Sequence, residues 1–406
     1  MWKIVISILI GAVCGLLFDP LYKFAKKKLT KTVHAIRIWK LDSYLEKVKY
    51  DEEHQIISFY HVLENYSESA GRFILAAPGE KKFHFPFKSN YLSENMIDNT
   101  RWTNKKNPEY LDARNYPKVA AEVINMTGDD FVVAHKNSVD SVENNLKNKI
   151  KDGKPFFNGE MYGINELSLD KNGNVVIDSY ISDYYTHRVM ADIYMEKFAD
   201  DGSGIVPKIR DNKGRRLKIK ERLTELSRYH YYLSSMGMDI LLYLEDEDVI
   251  LMLKRSKNLF CMEEKDMWHM SVNEAVSITD LEDGSGTTIS LTKCVVRGIK
   301  EELGLSIEPY NPKIVFGDLF LLKRPIEAGI TAFIRVKGVS FDMIKICYNA
   351  AKDGEFETSS IMCIPCNYFD IKKFIKKAKK NEELTAAGEY LLNMFLARSN
   401  KELFEE

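Results

Sequence analysis

This 406-residue chain lacks a charge excess, a dense set of cysteines and any repeat. Its 58 Lys and Arg residues nearly balance 59 Asp and Glu residues, for a net charge of −1. The composition therefore implies no general polyanion partner, and we expect no DNA or RNA polymer to bind. No internal repeat or low-complexity block is visible, which excludes solenoid and fibrous classes. The chain is long enough for two soluble domains.

The six cysteines are scattered along the chain, and two of them, Cys363 and Cys366, form a CxxC pair. A structural zinc ion needs two further ligands at suitable spacing, and the sequence has no second pair. Cys363 follows a strand-like run, so we interpret it as a packing residue.

The N-terminus carries the one long uncharged run, Ile4 to Phe18. With its flanks it spans about 17 residues, roughly 25 Å of helix, the short limit for a membrane span. A signal peptide is the competing interpretation. Its basic region would hold only Lys3, and no small-x-small cleavage site follows. We therefore predict an uncleaved transmembrane anchor over residues 1–20.

A basic segment follows this run. Between Lys23 and Lys49 there are nine Lys or Arg residues and two acids. This asymmetry predicts a single-pass protein of the inner (plasma) membrane with its bulk in the cytoplasm. Residues 21–54 also carry apolar side chains at near-helical spacing, which predicts a juxtamembrane helix against anionic lipid. Nucleic-acid binding is an alternative for this segment.

Small residues recur every four positions inside the predicted span, at Ser7, Gly11 and Gly15. This spacing lets two membrane helices approach closely, so it predicts self-association and a homo-oligomer. Glycines are also ordinary in membrane helices, and that alternative stays open.

The middle of the chain, residues 55–228, predicts an α+β domain of unknown role. A hairpin is expected from residues 162–169 and 175–179, around an Asn-Gly turn, and a helix from residues 139–150. Aromatic residues then cluster beside a histidine and an arginine. This cluster is typical either of a core edge or of a surface that stacks a base; its members are Tyr180, Tyr184, Tyr185, His187 and Arg188.

The most informative segment is Arg297 to Leu305, with the sequence RGIKEELGL. Positions 298, 301 and 302 share one helix face, and Gly304 stands where a helix end favours a left-handed residue. Carboxylates on such a face can hold a divalent cation against phosphates. Position 298, however, is a glycine and has no ligand atom.

This segment resembles the helix of the Nudix box, whose pattern ends in Arg-Glu-Leu-x-Glu-Glu-x-Gly-Leu. The resemblance implies a Nudix-like α/β/α sandwich with a mixed sheet over residues 229–406, followed by C-terminal helices. Apolar runs predict its strands at 238–254, 268–274, 313–322, 330–336 and 361–364. The expected fold class is thus α/β, with the α+β middle domain and one transmembrane helix before it.

The same resemblance implies residue roles. Arg297, Gly304 and Glu274 would be scaffold residues of the box, with Glu274 standing in for an upstream glutamate across a long loop. Glu301 and Glu302 would form a weak site for Mg²⁺ or Mn²⁺. Gly298 replaces a metal-binding glutamate, so Gly298→Glu would be expected to raise metal affinity. If the chain is a hydrolase, Glu302 and Glu357 would be catalytic.

Two functions follow as hypotheses. A span joined to a Nudix-like domain is similar to the transmembrane-plus-Nudix effectors of cyclic-oligonucleotide-based antiphage (CBASS) systems. This implies a membrane-anchored effector that senses a cyclic oligonucleotide and disrupts the membrane, without requiring a metal ion. The alternative is a membrane-tethered Nudix hydrolase of a nucleoside diphosphate linked to another group. A structural adaptor is a third, blander interpretation. The sequence assigns no nucleotide-binding residues.

Overall fold

The computed structural model describes residues 56–60, 73–76, 83, 131–151, 158–198, 211–215, 217–257, 264–282, 288–323, 325–349, 351 and 358–397. All of these lie in one unit of the chain, residues 48–406. The predicted span, the basic segment, the small residues of the span and Glu357 lie outside the described residues. Within the described residues, no helix combines the length and apolar character needed to cross a membrane.

The described elements alternate between strands and helices. The strands are β1 (Ile56–Tyr60), β2 (Phe73–Ala76), β3 (Glu160–Leu169), β4 (Val175–Asp183), β5 (Met236–Leu244), β6 (Val249–Arg255), β7 (Trp268–His269), β8 (Val272–Ala275), β9 (Thr288–Ile289), β10 (Lys313–Lys323), β11 (Ile326–Val336) and β12 (Thr358–Pro365). The α-helices are α1 (Phe131–Lys151), α2 (Tyr184–Phe198), α3 (Ile219–Ser227), α4 (Leu291–Leu303), α5 (Phe341–Tyr348), α6 (Tyr368–Lys380) and α7 (Ala386–Ala397).

The larger sheet joins eight strands, in the order β1-β10-β11-β5-β6-β12, with β7 beside β6 and β8 beside β5. Strands β11 and β5 run parallel and the other pairs antiparallel, so the sheet is mixed, as predicted. Strand β5 is buried along its whole length. It lies inside the sheet, with β11 on one side and β6 and β8 on the other. Most strands predicted for residues 229–406 are confirmed, with ends shifted by a few residues. The strand predicted at 268–274 is instead two short strands, β7 beside β6 and β8 beside β5, and β9 was not predicted.

Helices cover both faces of this sheet. Val295 and Ile299 of α4 share a hydrophobic cluster with Ile334 of β11. On the opposite face, Phe333 of β11 stacks on Phe395 of α7, with ring centroids 5.6 Å apart. Since successive strand residues point to opposite faces, α4 and α7 lie on opposite sides of the sheet.

The smaller sheet has the order β3-β4-β2-β9. Strands β3 and β4 form the predicted hairpin. Its turn is stabilised by the carboxylate of Asp170, which accepts hydrogen bonds from the backbone N–H groups of Asn172 and Asn174 at 2.8 and 2.9 Å. Gly173 adopts φ = 81°, a conformation that glycine reaches without strain.

Strands from distant parts of the chain meet in both sheets. β1 pairs with β10 in the larger sheet, and β9 pairs with β2 in the smaller one. Both sheets therefore contain strands from each side of residue 228, where the sequence places a domain boundary. That boundary stays a prediction, and strand pairing crosses it.

The aromatic cluster of the middle region lies mostly in the interior. Tyr185, Tyr180 and His187 are buried. The hydroxyl of Tyr180 donates to the carbonyl of His230 at 2.8 Å, and the hydroxyl of Tyr185 donates to Glu143 at 3.1 Å. These contacts favour the core interpretation over an exposed stacking surface.

Candidate functional site

Helix α4 begins and ends at the residues that its sequence favours. The hydroxyl of Ser290 accepts a hydrogen bond from the N–H of Lys293 at 3.3 Å and caps the N-terminus. At the other end, Gly304 adopts φ = 66° and its N–H donates to the carbonyl of Lys300 at 3.1 Å. The predicted left-handed residue is confirmed. A Cβ at position 304 would lie 2.3 Å from the carbonyl oxygen of Cys347.

Arg297 is the centre of the site. Its Nη1 lies 2.9 Å from Oε1 of Glu274 and 3.4 Å from Oε2 of Glu301. Its Nε and Nη2 each lie 2.9 Å from one oxygen of Asp280, which makes a bidentate pair. Nη2 also donates to the carbonyl of Ala275 at 2.8 Å. The guanidinium therefore joins α4 to β8 and to the turn that follows β8.

Asp280 was not predicted as a site residue from the sequence. It ends a 3₁₀ turn, residues 278–280, and its Oδ2 accepts from the N–H of Ser277 at 2.8 Å. The side chain is 1% exposed, so it meets Arg297 away from solvent. The spacing Ser277-x-x-Asp280 is a capping-box pattern and is the sequence signal that marks this aspartate.

Gly298 lets α4 lie directly against β8. A Cβ at this position would lie 2.8 Å from Cβ of Glu274 and 3.1 Å from Cγ1 of Val272. Neither atom is the free end of a flexible side chain, so any larger residue would push helix and strand apart. Glu274 fills the space that a new side chain would need. The expectation that Gly298→Glu raises metal affinity stays a prediction, and it requires helix and strand to move apart.

The two adjacent glutamates of α4 have different environments. Glu302 is 3% exposed. Its Oε1 accepts the backbone N–H of Asn273 at 3.0 Å, which ties the helix to β8. The side chain of Glu301 is 36% exposed and turns back toward Arg297. The two glutamates are adjacent in sequence but contact different partners, β8 for Glu302 and Arg297 for Glu301.

The pKa of Glu274 is raised to about 7, chiefly because the carboxyl is buried. The neighbouring Arg297 acts in the opposite direction, while Glu301 and Asp280 add to the increase. Glu274 therefore titrates near neutral pH while it remains in contact with the guanidinium.

A second buried carboxyl lies on the neighbouring strand. Oδ1 of Asp239 in β5 accepts from the side-chain amide of Asn273 at 2.5 Å. Burial raises the pKa of Asp239 to about 7, although that hydrogen bond lowers it. Glu327 of β11 has a raised pKa for the same reason and accepts from the hydroxyl of Ser235 at 3.0 Å. Sequence reasoning missed Asp239 and Glu327, because both stand alone within apolar strands.

The carboxylates at α4 contact a cation that the chain itself supplies. Three carboxylates, those of Glu274, Asp280 and Glu301, already contact the positive guanidinium. Among the residues the structure describes, no three Asp, Glu, His or Cys side chains are placed to hold a metal ion together. The sequence-predicted weak ion site at Glu301 and Glu302 stays a prediction, which an ion titration tests below.

Comparison with known proteins gives a limited result. No protein-family model matches the chain, and no curated protein matches it. The solved structures to which it is similar are Nudix proteins. One is a Caenorhabditis elegans Ap4A hydrolase, at 13% identity and a TM-score of 0.25, covering 40% of this chain and 96% of that one.

Two further structures are similar to the same extent. A MutT/nudix family protein from Enterococcus faecalis has 14% identity and a TM-score of 0.26, covering 41% of this chain and 62% of that one. The NUDIX domain of Shewanella oneidensis NrtR, complexed with ADP ribose, has 14% identity and a TM-score of 0.22, covering 40% of this chain and 87% of that domain. These values are too low to transfer an activity.

Proposed function

We propose that the region around α4 is a Nudix-like site that binds a nucleotide-derived ligand without using the divalent cation that hydrolysis requires. One observation carries this proposal: the carboxylates that the Nudix pattern would offer to a cation lie against Arg297 instead. Its guanidinium offsets part of the negative charge of these three carboxylates and occupies one side of them, so a further cation gains less electrostatic stabilisation there.

The glutamates of α4 support the same conclusion. Hydrolysis would need a carboxylate that is free to activate water or to hold the cation at the phosphate chain. Glu302 is buried and accepts a backbone N–H, and the space beside Gly298 is filled by Glu274. Each of these carboxylates therefore already has a structural contact that holds it against β8 or Arg297.

The finer part of the proposal concerns the whole chain. In this part, the chain acts as a membrane-anchored effector in antiviral signalling. A cyclic oligonucleotide is its ligand, and disruption of the membrane is the result of binding. This part rests on the sequence: the uncharged run Ile4 to Phe18, the basic segment after it, and the missing carboxylate at Gly298. A ligand drives such a change only by binding the active state more tightly.

A thermal-shift experiment with an ion titration tests the proposal. The full-length chain in detergent is heated with Mn²⁺ alone, with cyclic di- and trinucleotides, and with a linear nucleoside diphosphate sugar. Because a ligand that binds only the folded state stabilises it by about 2.7 kcal/mol at a hundredfold excess over Kd, binding is readily detected. We expect a cyclic nucleotide to raise Tm without Mn²⁺, and Mn²⁺ alone to have no effect.

Turnover of the same nucleotides distinguishes the hydrolase alternative. Metal-dependent cleavage by the wild type, abolished in Glu302→Gln and retained in Glu308→Gln, would contradict the proposal and establish the tethered hydrolase. Glu308 is a matched control because it is an exposed glutamate outside α4. Stabilisation by the linear nucleotide alone would reject the signalling part and keep the binding site.

A further inference from the structure

One face of helix α6 packs against the rest of the fold. The side chain of Asn367 caps it, accepting from the N–H of Asp370 at 3.0 Å. Ile371, Ile375 and Ala378, spaced i, i+4 and i+7, are buried against the fold. The orientation of the opposite face is therefore set by packing, and its residues stay outward.

That outward face combines aromatic and basic side chains. Phe369 is 82% exposed and Tyr368 is 40% exposed, and their rings meet edge to face with centroids 5.8 Å apart. Lys373, Lys376 and Lys380 continue the line from Phe369 at i+4, i+7 and i+11, so they share one stripe. These three lysines, and Lys377 beside them, are exposed; for this face we use the name basic stripe.

The lysines of the basic stripe differ from the other lysines of α6 in having no polar contacts among the described residues. Lys372 donates to Asn393 at 2.6 Å, and Lys379 pairs with Glu389 at 2.9 Å. Within the described part of the chain, the lysines of the basic stripe make no hydrogen bond or ion pair. The single acid of the helix, Asp370, accepts from the side-chain amide of Asn367 at 2.7 Å. Among the described residues, no acid compensates the positive charge of the stripe.

We propose that the basic stripe and Phe369 form a docking surface for an anionic lipid bilayer. The positive lysines complement the negative lipid headgroups. The apolar stems of the lysines let their ammonium groups extend to the headgroups, while the ring of Phe369 enters the membrane interface. Nucleic acid fits less well, since the two aromatic rings stand together at one end of the helix and are not spread along the stripe, where they could stack successive bases. The surface rests on α6 alone and needs neither the predicted span nor a nucleotide.

Fluorescence at position 369 tests this surface. The full-length Phe369→Trp variant is reconstituted with vesicles of phosphatidylcholine, with or without phosphatidylglycerol, and quenched with brominated lipid. Wild-type signal from the four native tryptophans is subtracted. We expect the introduced indole to be quenched only when anionic lipid is present, and less at high salt.

Two controls separate docking from simple proximity to the vesicle. Ile346→Trp reports from α5, where Ile346 is also exposed, at 72%, and follows a lysine. We expect no anionic-lipid-dependent quenching there. Because a lysine at an anionic surface contributes about fivefold in affinity, the triple change Lys373→Glu, Lys376→Glu and Lys380→Glu should weaken docking at least about a hundredfold.

Several results would overturn the proposal. Equal quenching of the Phe369→Trp variant in zwitterionic and anionic vesicles would remove the role of the lysines. Equal quenching at positions 369 and 346 would mean that α6 has no special contact. A response of the Phe369→Trp variant to a single-stranded oligonucleotide, but not to anionic vesicles, would reassign the surface to nucleic acid.

Discussion

Helices α4 and α6 use charge in opposite ways. In α4, Arg297 lies among the carboxylates of Glu274, Asp280 and Glu301, with contacts of 2.9 to 3.4 Å. In α6, the lysines of the basic stripe point outward without partners among the described residues. The first set of charges holds elements of the fold together, whereas the second is available to a partner.

This contrast explains which substitutions should matter for folding. Removing one member of a buried charge set leaves the others desolvated and unpaired, which costs far more than the pair contributes. An exposed charge loses little when it is replaced, because water solvates its neighbours. The following predictions test the contrast, from the largest expected effect to the smallest.

Arg297→Met should reduce the free energy of unfolding by about 3–5 kcal/mol. The variant leaves the buried carboxylate of Asp280 without its bidentate partner. Urea denaturation measures the loss, and Lys300→Met, at an exposed position of the same helix, should change stability by less than about 0.5 kcal/mol. Equal effects in both variants would mean that Arg297 has no special role.

Asp239 should make stability fall as pH rises. Its pKa is about 7 in the folded protein against an ordinary value of 3.8, so the folded state binds the proton more tightly. The stabilisation is complete below pH 4 and is lost as pH rises toward 7, by about 2–4 kcal/mol. Asp239→Asn should make this part of the stability profile less steep, measured by urea denaturation at several pH values, while the raised pKa values of Glu274 and Glu327 keep a remaining slope of the same sign.

The control for this profile is Asp342→Asn, since the side chain of Asp342 is 86% exposed. That variant should keep the wild-type dependence on pH. A wild-type profile that is flat between pH 4 and 7, or one that Asp239→Asn does not alter, would contradict the assignment to Asp239.

Gly298→Ala should destabilise the protein by about 1–3 kcal/mol, although alanine favours helices over glycine by about 1 kcal/mol. The added methyl group would lie 2.8 Å from Cβ of Glu274. Thermal unfolding measures the effect. Thr292→Ala, at an exposed position of α4, should be neutral or slightly stabilising, and a stabilising Gly298→Ala would refute the close approach.

The lysines of α6 should show the smallest effects. Lys379→Ala removes an ion pair to Glu389, and we expect a loss of about 0.2–1 kcal/mol. Lys376→Ala, in the basic stripe, should stay within about 0.5 kcal/mol of wild type. Matched denaturation curves compare them. A larger loss in Lys376→Ala would show that the stripe has a structural partner.

The sequence was sufficient for the elements that depend on local patterning. The apolar runs of β10 and β11, the hairpin β3–β4 and the left-handed Gly304 follow from residue types within a few positions. These features depend on short-range sterics and on the apolar character of a few consecutive residues, which one stretch of sequence contains. The mixed sheet was expected from the resemblance, and the structure confirms it.

Residue roles within the box helix were only partly predictable. Arg297, Glu274 and Glu302 were recognised as candidates, but their pattern suggested a cation site. In the structure, Glu274 comes across from β8 and fills the space beside Gly298, and Asp280 pairs with Arg297. These contacts join residues that are 17 to 24 positions apart in sequence. No periodicity specifies such distances.

By itself, the sequence predicted the hairpin β3–β4, the long strands of the larger sheet, the helix α4 and which segments carry charge. Tertiary structure alone decided that β1 pairs with β10, that α4 rests on Glu274, and that the lysines of the basic stripe lack partners within the described fold. The physical reason is that local propensity acts over a turn or a strand, whereas ion pairing and desolvation depend on which distant segments meet.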